Sequence, residues 1–202
     1  MSAQNFFVKV KEVALKRSPI DFIKEAFTYA TKLVTYYIMS IDTSTVNCTN
    51  VSDIKILPTT VDDIPKLNKS SFGNHEYIKS ILEQKDPLDR YFTFYNNKSQ
   101  YIGYCCILLK EAEYNTFNLC NTEAYLSEFY ISQEFQGQGL GTKALRDICE
   151  LLKNNNMHEL KLAVRNYNKP AYRCYTKVGF VYQKRFTVFL PNHSRAKPYH
   201  II

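Results

Sequence analysis

Three glycines, each separated from the next by one residue, lie where an apolar stretch meets an amphipathic one. They are Gly137, Gly139 and Gly141, in the sequence QGQGLG. Residues 124–131 before them are rich in apolar and aromatic side chains and predict a strand, and residues 140–153 have helical spacing. Glycines at such a junction let backbone N–H groups converge on a phosphate, and the helix N-terminus adds partial positive charge. The pattern therefore predicts a pyrophosphate site.

Three known phosphate-binding patterns can be compared with this loop. A Walker A loop requires lysine directly after its last glycine, whereas Gly141 is followed by threonine and then lysine. A dinucleotide fingerprint requires glycine where Thr142 stands and an acid where Lys161 stands, so it fails as well. The third pattern, Q-x-x-G-x-G, is met in full by Gln136, Gly139 and Gly141.

Together with two further segments, this loop resembles the GCN5-related N-acetyltransferase (GNAT) superfamily. Residues 164–180 are similar to the second hallmark segment of that superfamily, whose positions are held here by Asn168, Ala171, Tyr175, Gly179 and Phe180. Residues 53–73 are similar to its opening strand and helix, so the resemblance covers about residues 53–190. It implies an enzyme that moves the acetyl group of acetyl-CoA directly to a primary amine, in a complex that holds both substrates.

The resemblance also implies a fold and a cofactor site. The expected fold is α/β (α+β): a strongly twisted mixed sheet of six to seven strands flanked by helices, in which the strands at 124–131 and 159–164 run parallel and then part. Backbone groups exposed at the parting are expected to line the pantetheine arm, together with Asn168 and Ala171. The expected backbone contacts are Phe129, Tyr130 and Ile131. The residues expected to hold the pyrophosphate are Gln136, Gly137, Gln138, Gly139, Leu140, Gly141 and Thr142.

Two side chains are candidates for the proton transfers. Tyr175 matches the family tyrosine near the thioester sulfur, and a free phenol, with a pKa of ~10, keeps its proton at neutral pH and can act as general acid. A core or groove tyrosine is the alternative. Glu128 is the candidate general base, and simple alternation places it on the same face as Leu126 and Tyr130. A solvent-facing glutamate is the alternative there.

Other polar residues have two readings each. Asn168 either bonds the cofactor arm or caps a helix that starts before Pro170. Cys174 has no neighbouring histidine in its segment, which favours a buried thiol over a nucleophile. Three basic residues either meet the 3′-phosphate of CoA or form a solvated helix face: Lys169, Arg173 and Lys177. Three acids either line the approach of the amine or are simply solvated: Glu111, Glu113 and Glu123.

The remaining cysteines and histidines show no spacing of metal ligands. The six cysteines contain no C-x-x-C pair and the four histidines are scattered, so we expect no metal site and reduced, partly buried thiols. The N-terminal residues lack the layout of a secretory signal, and the longest apolar run is too short to cross a bilayer. We therefore expect a cytoplasmic protein without a membrane partner.

The elements that must position these residues can be predicted from residue 53 onward. Residues 53–57 predict a strand and Thr60 the cap of a following helix, with a second helix at 75–85. Strands are predicted near 91–96 and 100–110. The strand at 124–131, the helix at 140–153 and the strand at 159–164 predict a right-handed crossover between parallel strands.

Residues 1–52 are predicted to be an N-terminal helical extension of a GNAT domain at 53–202. The Ser18-Pro19 pair signals a helix start, and apolar residues from Phe22 to Tyr37 recur at helical spacing. Packing on the main domain is the expected use of this segment, and formation of a homodimer is the alternative.

Charge is distributed unevenly along the chain. The net charge is +7, but residues 51–160 are acidic on balance, whereas residues 161–202 carry basic residues and no acid. This distribution suits a domain that holds a polyanionic cofactor and receives a cationic acceptor, either a small-molecule amine or a protein amine. Two alternatives remain: a non-catalytic acyl-CoA-binding or sensor module of the same fold, and a nucleic-acid binder, which lacks any recognised motif.

Overall fold

A computed structural model of the protein describes residues 32–46, 53–67, 75–84, 89–109 and 119–190. Its strands are β1 Lys32–Asp42, β2 Ile54–Pro58, β3 Asp89–Asn96, β4 Tyr101–Leu108, β5 Glu123–Ile131, β6 Glu159–Arg165 and β7 Val181–Leu190. Its α-helices are α1 His75–Leu82, α2 Leu140–Asn154 and α3 Lys169–Val178. Thr35–Phe186 belong to one compact unit.

The strands form a single mixed sheet in the order β2-β3-β4-β5-β6-β1-β7. The pairs β2–β3, β3–β4, β4–β5 and β6–β1 are antiparallel, and β5–β6 is parallel. Because α2 connects the two parallel strands, the predicted crossover unit is confirmed, and so is the α+β class with a seven-stranded mixed sheet flanked by helices.

Helices cover both faces of the sheet. The apolar side of α2 is buried against one face, where Tyr175 and Val178 of α3 join the same core. On the other face, Ile78 and Ile81 of α1 pack on a smaller core that includes Tyr104 of β4. We call these the α2 face and the α1 face. Among the described residues, no helix has the length and apolar character that crossing a bilayer requires.

The strand β1 corrects the sequence prediction. Residues 32–42 were expected to lie in a helical extension, but they pair antiparallel with β6, from Tyr36 opposite Arg165 to Asp42 opposite Glu159. The helical interpretation is wrong there because nearly every residue from Leu33 to Ile41 is apolar or aromatic, so the segment fits a strand buried on both sides as well as a helix. The helix start at Ser18-Pro19 lies outside the described residues.

The other predicted elements are confirmed with one change of type. The helix expected after Thr60 is a 3-10 helix, Val61–Lys66, which contains Pro65. The predicted cap is present, since Asp63 accepts hydrogen bonds from the backbone N–H and the hydroxyl of Thr60 at 3.0 and 2.8 Å. Proline cannot donate the hydrogen bond that would extend this segment as an α-helix.

Candidate active site

The strands β5 and β6 part midway along their length. Their parallel ladder runs from Glu123 opposite Glu159 to Leu126 opposite Leu162 and stops there. However, β5 continues to Ile131 and β6 to Arg165. Backbone groups of residues 127–131 that face β6 are therefore outside the ladder, which gives an extended chain such as pantetheine a row of amides to bond.

A β-bulge lies at the point where the strands part. Glu128 pairs with Cys106 and Leu126 with Ile107, so Ser127 is an extra residue without a counterpart on β4. The Ser127 hydroxyl donates to the Cys106 carbonyl oxygen at 3.3 Å. Beyond the bulge the alternation of side chains is shifted by one residue.

This shift corrects the predicted orientation of Glu128. Leu126 packs in the core of the α2 face, whereas Tyr130 packs against the core of the α1 face. Glu128 pairs with Cys106, which also belongs to the α1-face core, so Glu128 shares a face with Tyr130 but not with Leu126. Simple alternation fails because it does not include the bulge.

Glu128 is buried rather than solvent-facing. Its side chain is 6% exposed, and the hydroxyl of Tyr104, a residue 1% exposed, donates to its Oε2 at 2.9 Å. The rings of Tyr104 and Tyr130 lie 5.8 Å apart between centroids. A buried carboxylate held by a phenol matches what a general base in this position needs, namely a fixed direction and exclusion from bulk water.

Tyr175 reaches the same region from the α2 face. It is buried between the rings of Phe129 and Phe180, with centroid distances of 6.4 and 5.7 Å. Burial, and secondarily the neighbouring Cys174 thiol, raises the pKa of the Tyr175 phenol above its usual range. Such a phenol holds its proton at neutral pH, as a general acid must before it donates.

The Tyr125 side chain interacts with groups from both faces of the sheet near the point where β5 and β6 part. It packs against the α1-face core. Burial raises the pKa of its phenol, and the next largest contribution comes from Tyr175, which lies in the α2-face core. The Ala163 backbone N–H acts on the same phenol as a hydrogen-bond donor and opposes that rise in pKa. Groups from both sides of the sheet are therefore close to one another where β5 and β6 separate.

The glycine loop leads directly into α2 and is open. Gly137 and Gly139 have φ angles of +77° and +79°, and a β-carbon at either position would meet nothing within 4 Å. Gly139 is the N-cap of α2 and supplies no side-chain cap. The first N–H groups of a helix have no intrahelical acceptor, so those of α2 remain available to an anion.

The two glutamines of the loop use their side chains to hold it together. Gln136 donates from Nε2 to the Ile131 carbonyl oxygen at 2.7 Å, and Gln138 donates to the Glu134 carbonyl oxygen at 2.9 Å. A pyrophosphate here would consequently be held by backbone donors rather than by these amide groups. The loop geometry fits the diphosphate predicted from its sequence.

The first turn of α2 lies close to β5 and α3. A β-carbon at Gly141 would be 3.4 Å from the Cys174 sulfur and 3.6 Å from the Phe129 ring. The Thr142 hydroxyl lies 3.6 Å from the same sulfur. Burial raises the pKa of the Cys174 thiol, which opposes formation of a nucleophilic thiolate.

Asn168 is a helix cap in the structure. It is the exposed N-cap of α3, and its side-chain oxygen accepts from the Ala171 N–H at 3.3 Å. The predicted cap is therefore present and uses the side-chain oxygen of Asn168. A contact between its amide nitrogen and a cofactor is compatible with this cap. The three basic residues of α3 that were predicted to meet a phosphate are exposed: Lys169, Arg173 and Lys177.

Of the three acids expected along the approach of the amine, the structure describes only Glu123. Glu111 and Glu113 lie outside the described residues. Glu123 is at the start of β5, away from the loop, where it pairs with Lys161 at 2.7 Å. Sequence reasoning missed Tyr104 and Ser127. Residue types give no signal for either one, because the contact and the bulge arise only when β4 and β5 pair.

Comparisons with known proteins agree with this geometry. The sequence model of the acetyltransferase (GNAT) family matches residues 60–180. The chain is 27% identical over 120 residues to the uncharacterized N-acetyltransferase YobR of Bacillus subtilis, a match that covers 59% of this chain and 44% of that protein. It is 34% identical over 55 residues to the thialysine N-epsilon-acetyltransferase of Mus musculus, covering 27% of this chain and 32% of that protein. The chain thus spans less than half the length of these two relatives.

The fold has counterparts among solved structures. A GCN5-related N-acetyltransferase from Sphaerobacter thermophilus superposes with a TM-score of 0.58 at 13% identity, covering 85% of this chain and 56% of that chain. At this identity the likeness concerns the arrangement of strands and helices alone.

Proposed function

The chain belongs to the acetyltransferase (GNAT) family, and from that premise we propose that it transfers the acetyl group of acetyl-CoA to a primary amine by direct attack. The observation that carries this proposal is the convergence of three features at one end of β5: the parting from β6, the open N-terminus of α2, and two ionisable side chains, Glu128 and Tyr175, on opposite faces of the sheet.

Backbone groups support the proposed cofactor site. The N–H groups at the start of α2, from Gly139 through Thr142, bind the diphosphate, because their dipoles point toward the loop. The freed amides of β5 at Phe129, Tyr130 and Ile131 bind the pantetheine arm, and Asn168 and Ala171 of α3 lie beside it. Bound acetyl-CoA supplies the acetyl group as an activated thioester.

The proton transfers are divided between the two faces. Glu128 accepts a proton from the amine nitrogen as that nitrogen forms its bond to the acetyl carbon. Tyr175 donates its phenolic proton to the sulfur as the carbon–sulfur bond breaks. A β5 backbone N–H directed at the thioester oxygen stabilises the negative charge that develops there. With the base on the α1 face and the acid on the α2 face, the amine and the thiol stay on separate sides.

The acceptor is proposed to be a cationic primary amine. The acidic balance of the middle of the chain and the buried carboxylate favour attraction of a positive group. The ammonium form releases one proton to solvent before attack, and Glu128 takes the second as the nitrogen–carbon bond forms. The thialysine acetyltransferase similarity makes a lysine-like amine a reasonable first member of the panel.

Thiol release from acetyl-CoA tests the function. Purified protein is mixed with acetyl-CoA and, separately, thialysine, spermidine, or a lysine-containing peptide, and free CoA thiol is measured with product mass confirmed by mass spectrometry. We expect amine-dependent thiol release and a mass gain of one acetyl group. Binding of acetyl-CoA without release for any amine would instead support the binding-module alternative, and no binding would contradict the site itself.

A further inference from the structure

We propose that Tyr104 is a positioning residue for Glu128: its hydroxyl fixes the direction of the carboxylate and favours the ionised form. This inference rests on the proposed function, in which Glu128 is the general base. Tyr104 lies outside every motif that the sequence analysis identified.

The first support is the contact itself. The Tyr104 hydroxyl is 2.9 Å from Oε2 of Glu128, within the usual range of an O–H···O hydrogen bond. The two residues are diagonal neighbours across the antiparallel pair, since Tyr104 lies opposite Tyr130 and Glu128 lies opposite Cys106. Both side chains are buried, at 1% and 6% exposure. Water therefore competes little for either group.

The second support is the bulge at Ser127. In a regular ladder that continued the alternation of Leu126, the Glu128 side chain would lie on the α2 face, away from Tyr104. The extra residue moves Glu128 to the α1 face, where the phenol reaches it. Bulges commonly redirect a side chain beside a functional site. Here the redirected side chain is the one that the reaction needs.

The third support is restraint of the phenol. The Tyr104 ring lies beside the Tyr130 ring, 5.8 Å between centroids and tilted by 43°. Tyr104 is also among the largest fully buried side chains of the described residues. A donor fixed in this way fixes the direction of its acceptor, so the carboxylate is aligned before the amine arrives.

The chemical consequence concerns the protonation state of the base. Burial alone disfavours an ionised carboxylate, whereas a hydrogen bond donated to it favours ionisation. An ionised carboxylate accepts only, so the phenol keeps its own proton while Glu128 takes one from the amine. Tyr104 thus acts through Glu128 and exchanges no proton with the substrate.

Other titratable groups around Glu128 come from each neighbouring element. The titratable groups of the α1-face core, and those packed against it, come from β3, β4, β5 and α1, and Cys105 of β4 interacts with Glu128 as well. They are Tyr91, Tyr101, Cys105, Cys106, Tyr125, Tyr130 and Tyr77. From the 3-10 helix, Asp63 and Lys66 form an ion pair at 2.9 Å that is closed by Tyr95. Burial raises the pKa of the Cys105 thiol and of the Tyr101 and Tyr125 phenols, so these three groups add no charge near Glu128 at neutral pH.

The direct test is a carbon-13 NMR titration of the Glu128 carboxyl in protein labelled at glutamate side chains. The resonance is assigned by its loss in Glu128→Gln. In Tyr104→Phe we expect the titration midpoint to rise by about one pH unit, because a donor to the ionised form is removed. The matched control is Tyr101→Phe, which removes a buried phenol from the same strand, one whose hydroxyl bonds no described residue. An unchanged midpoint in Tyr104→Phe, or an equal rise in the control, overturns the inference.

The kinetic test uses acetyl-CoA and thialysine across a range of pH. In Tyr104→Phe the acidic limb of kcat/KM should move upward by about one pH unit, with KM for acetyl-CoA within about twofold of wild type. Activity in Glu128→Gln equal to wild type would remove the base from the proposed function, and this inference with it. An inactive Glu128→Gln beside a Tyr104→Phe profile like wild type would overturn this inference alone.

Two measures keep the test decisive. The NMR midpoint needs no acceptor, so it decides the Tyr104 contact even if no amine in the panel reacts. If Tyr104→Phe does not fold, 3-fluorotyrosine at position 104 replaces it. Its more acidic phenol is a stronger donor and should lower the midpoint, whereas a midpoint that stays or rises contradicts the inference.

Discussion

Tyr175 combines a reactive group with a core position. Its ring packs between Phe129 and Phe180, so the side chain has little freedom, and Phe129 lies in the part of β5 beyond the ladder with β6. The raised pKa of this phenol means that the proton remains on it well above neutral pH. Loss of activity on the alkaline side of the optimum should therefore not come from ionisation of Tyr175.

Replacement of Tyr175 by phenylalanine separates its two roles. The ring and its packing are kept, so the fold and acetyl-CoA affinity should change little, whereas kcat should fall by about 100-fold because the thiolate leaves without a proton. Stopped thiol-release assays give kcat, and calorimetric titration gives the affinity. The matched control is Tyr172→Phe, because Tyr172 is a half-buried tyrosine about one turn before Tyr175 in the same helix. Equal turnover in wild type and Tyr175→Phe would exclude the phenol as the acid.

At the residue scale, a sequence motif was enough to propose candidate residues, whereas the orientation of a side chain depends on local geometry that residue types do not record. Tyr175 and Asn168 were identified from one segment, and α3 presents both. Glu128 was identified as well, but its face was wrong because the bulge at Ser127 leaves no mark in residue types. Tyr104 could not be identified at all, since one tyrosine among sixteen acquires a partner only when two strands pair.

At the scale of elements, the loop before α2 depends on backbone that only glycine adopts without strain. Gly139 lies at φ +79° and its missing side chain faces open space, where the diphosphate is proposed to bind. A side chain there has two effects: it strains the backbone and it occupies the anion position. The second effect is specific to the cofactor.

Gly139→Val should abolish detectable acetyl-CoA binding while the protein stays folded. The strain is of the order of 1–3 kcal/mol, which lowers the melting temperature without unfolding a typical domain. Binding is measured by calorimetry and folding by circular dichroism. Ser99→Val is the matched control, because Ser99 also has a positive φ, 58°, but lies in the turn between β3 and β4. Retained binding in Gly139→Val would mean that the loop is misassigned.

The elements themselves were predicted well where the periodicity was unambiguous. In the crossover, the β6 sequence alternates between apolar and other residues, and the α2 sequence between the strands has one apolar side. The structure contains β5, α2 and β6 close to the predicted bounds. The strand β1 was missed because its continuous apolar run fits either type of element. Pairing with β6, about 120 residues later in the chain, decides the matter, and that information is not local.

The position of β1 between β6 and β7 makes residues 32–42 part of the sheet. Ile41 of β1 is 4% exposed, and its Cδ1 lies beneath Gly179, at the end of the helix that carries Tyr175. Ile41→Ala should therefore lower the free energy of unfolding by about 2–5 kcal/mol. Urea denaturation measures this loss, with Lys55→Ala at an exposed position of β2 as the control. A loss below about 1 kcal/mol would contradict the packing of β1 in the core.

At the scale of the whole molecule, the structure shows where part of the basic charge of residues 161–202 lies. Lys169, Arg173 and Lys177 recur every four residues and so form one exposed stripe along α3. This helix begins after β6 and packs beside the first turn of α2, where the diphosphate is proposed to bind. A second phosphate of the same cofactor would find its counter-charge on this stripe. A nucleic-acid backbone could find it as well, so charge alone does not distinguish the two.

A cofactor lacking one phosphate makes the distinction. If Arg173 meets the 3′-phosphate, Arg173→Gln should weaken CoA binding by about 3- to 10-fold and leave the affinity for 3′-dephospho-CoA unchanged, because a partly exposed charge–phosphate contact contributes about 1 kcal/mol. Calorimetry at 50 and 200 mM salt measures both ligands, and the CoA difference should shrink as salt screens the pair. Lys153→Gln, at the exposed far end of α2, is the control and should bind like wild type. Equal losses of affinity for CoA and 3′-dephospho-CoA would mean that Arg173 does not contact the 3′-phosphate. Tight binding of a DNA duplex that CoA does not displace would indicate that this stripe binds nucleic acid rather than the cofactor.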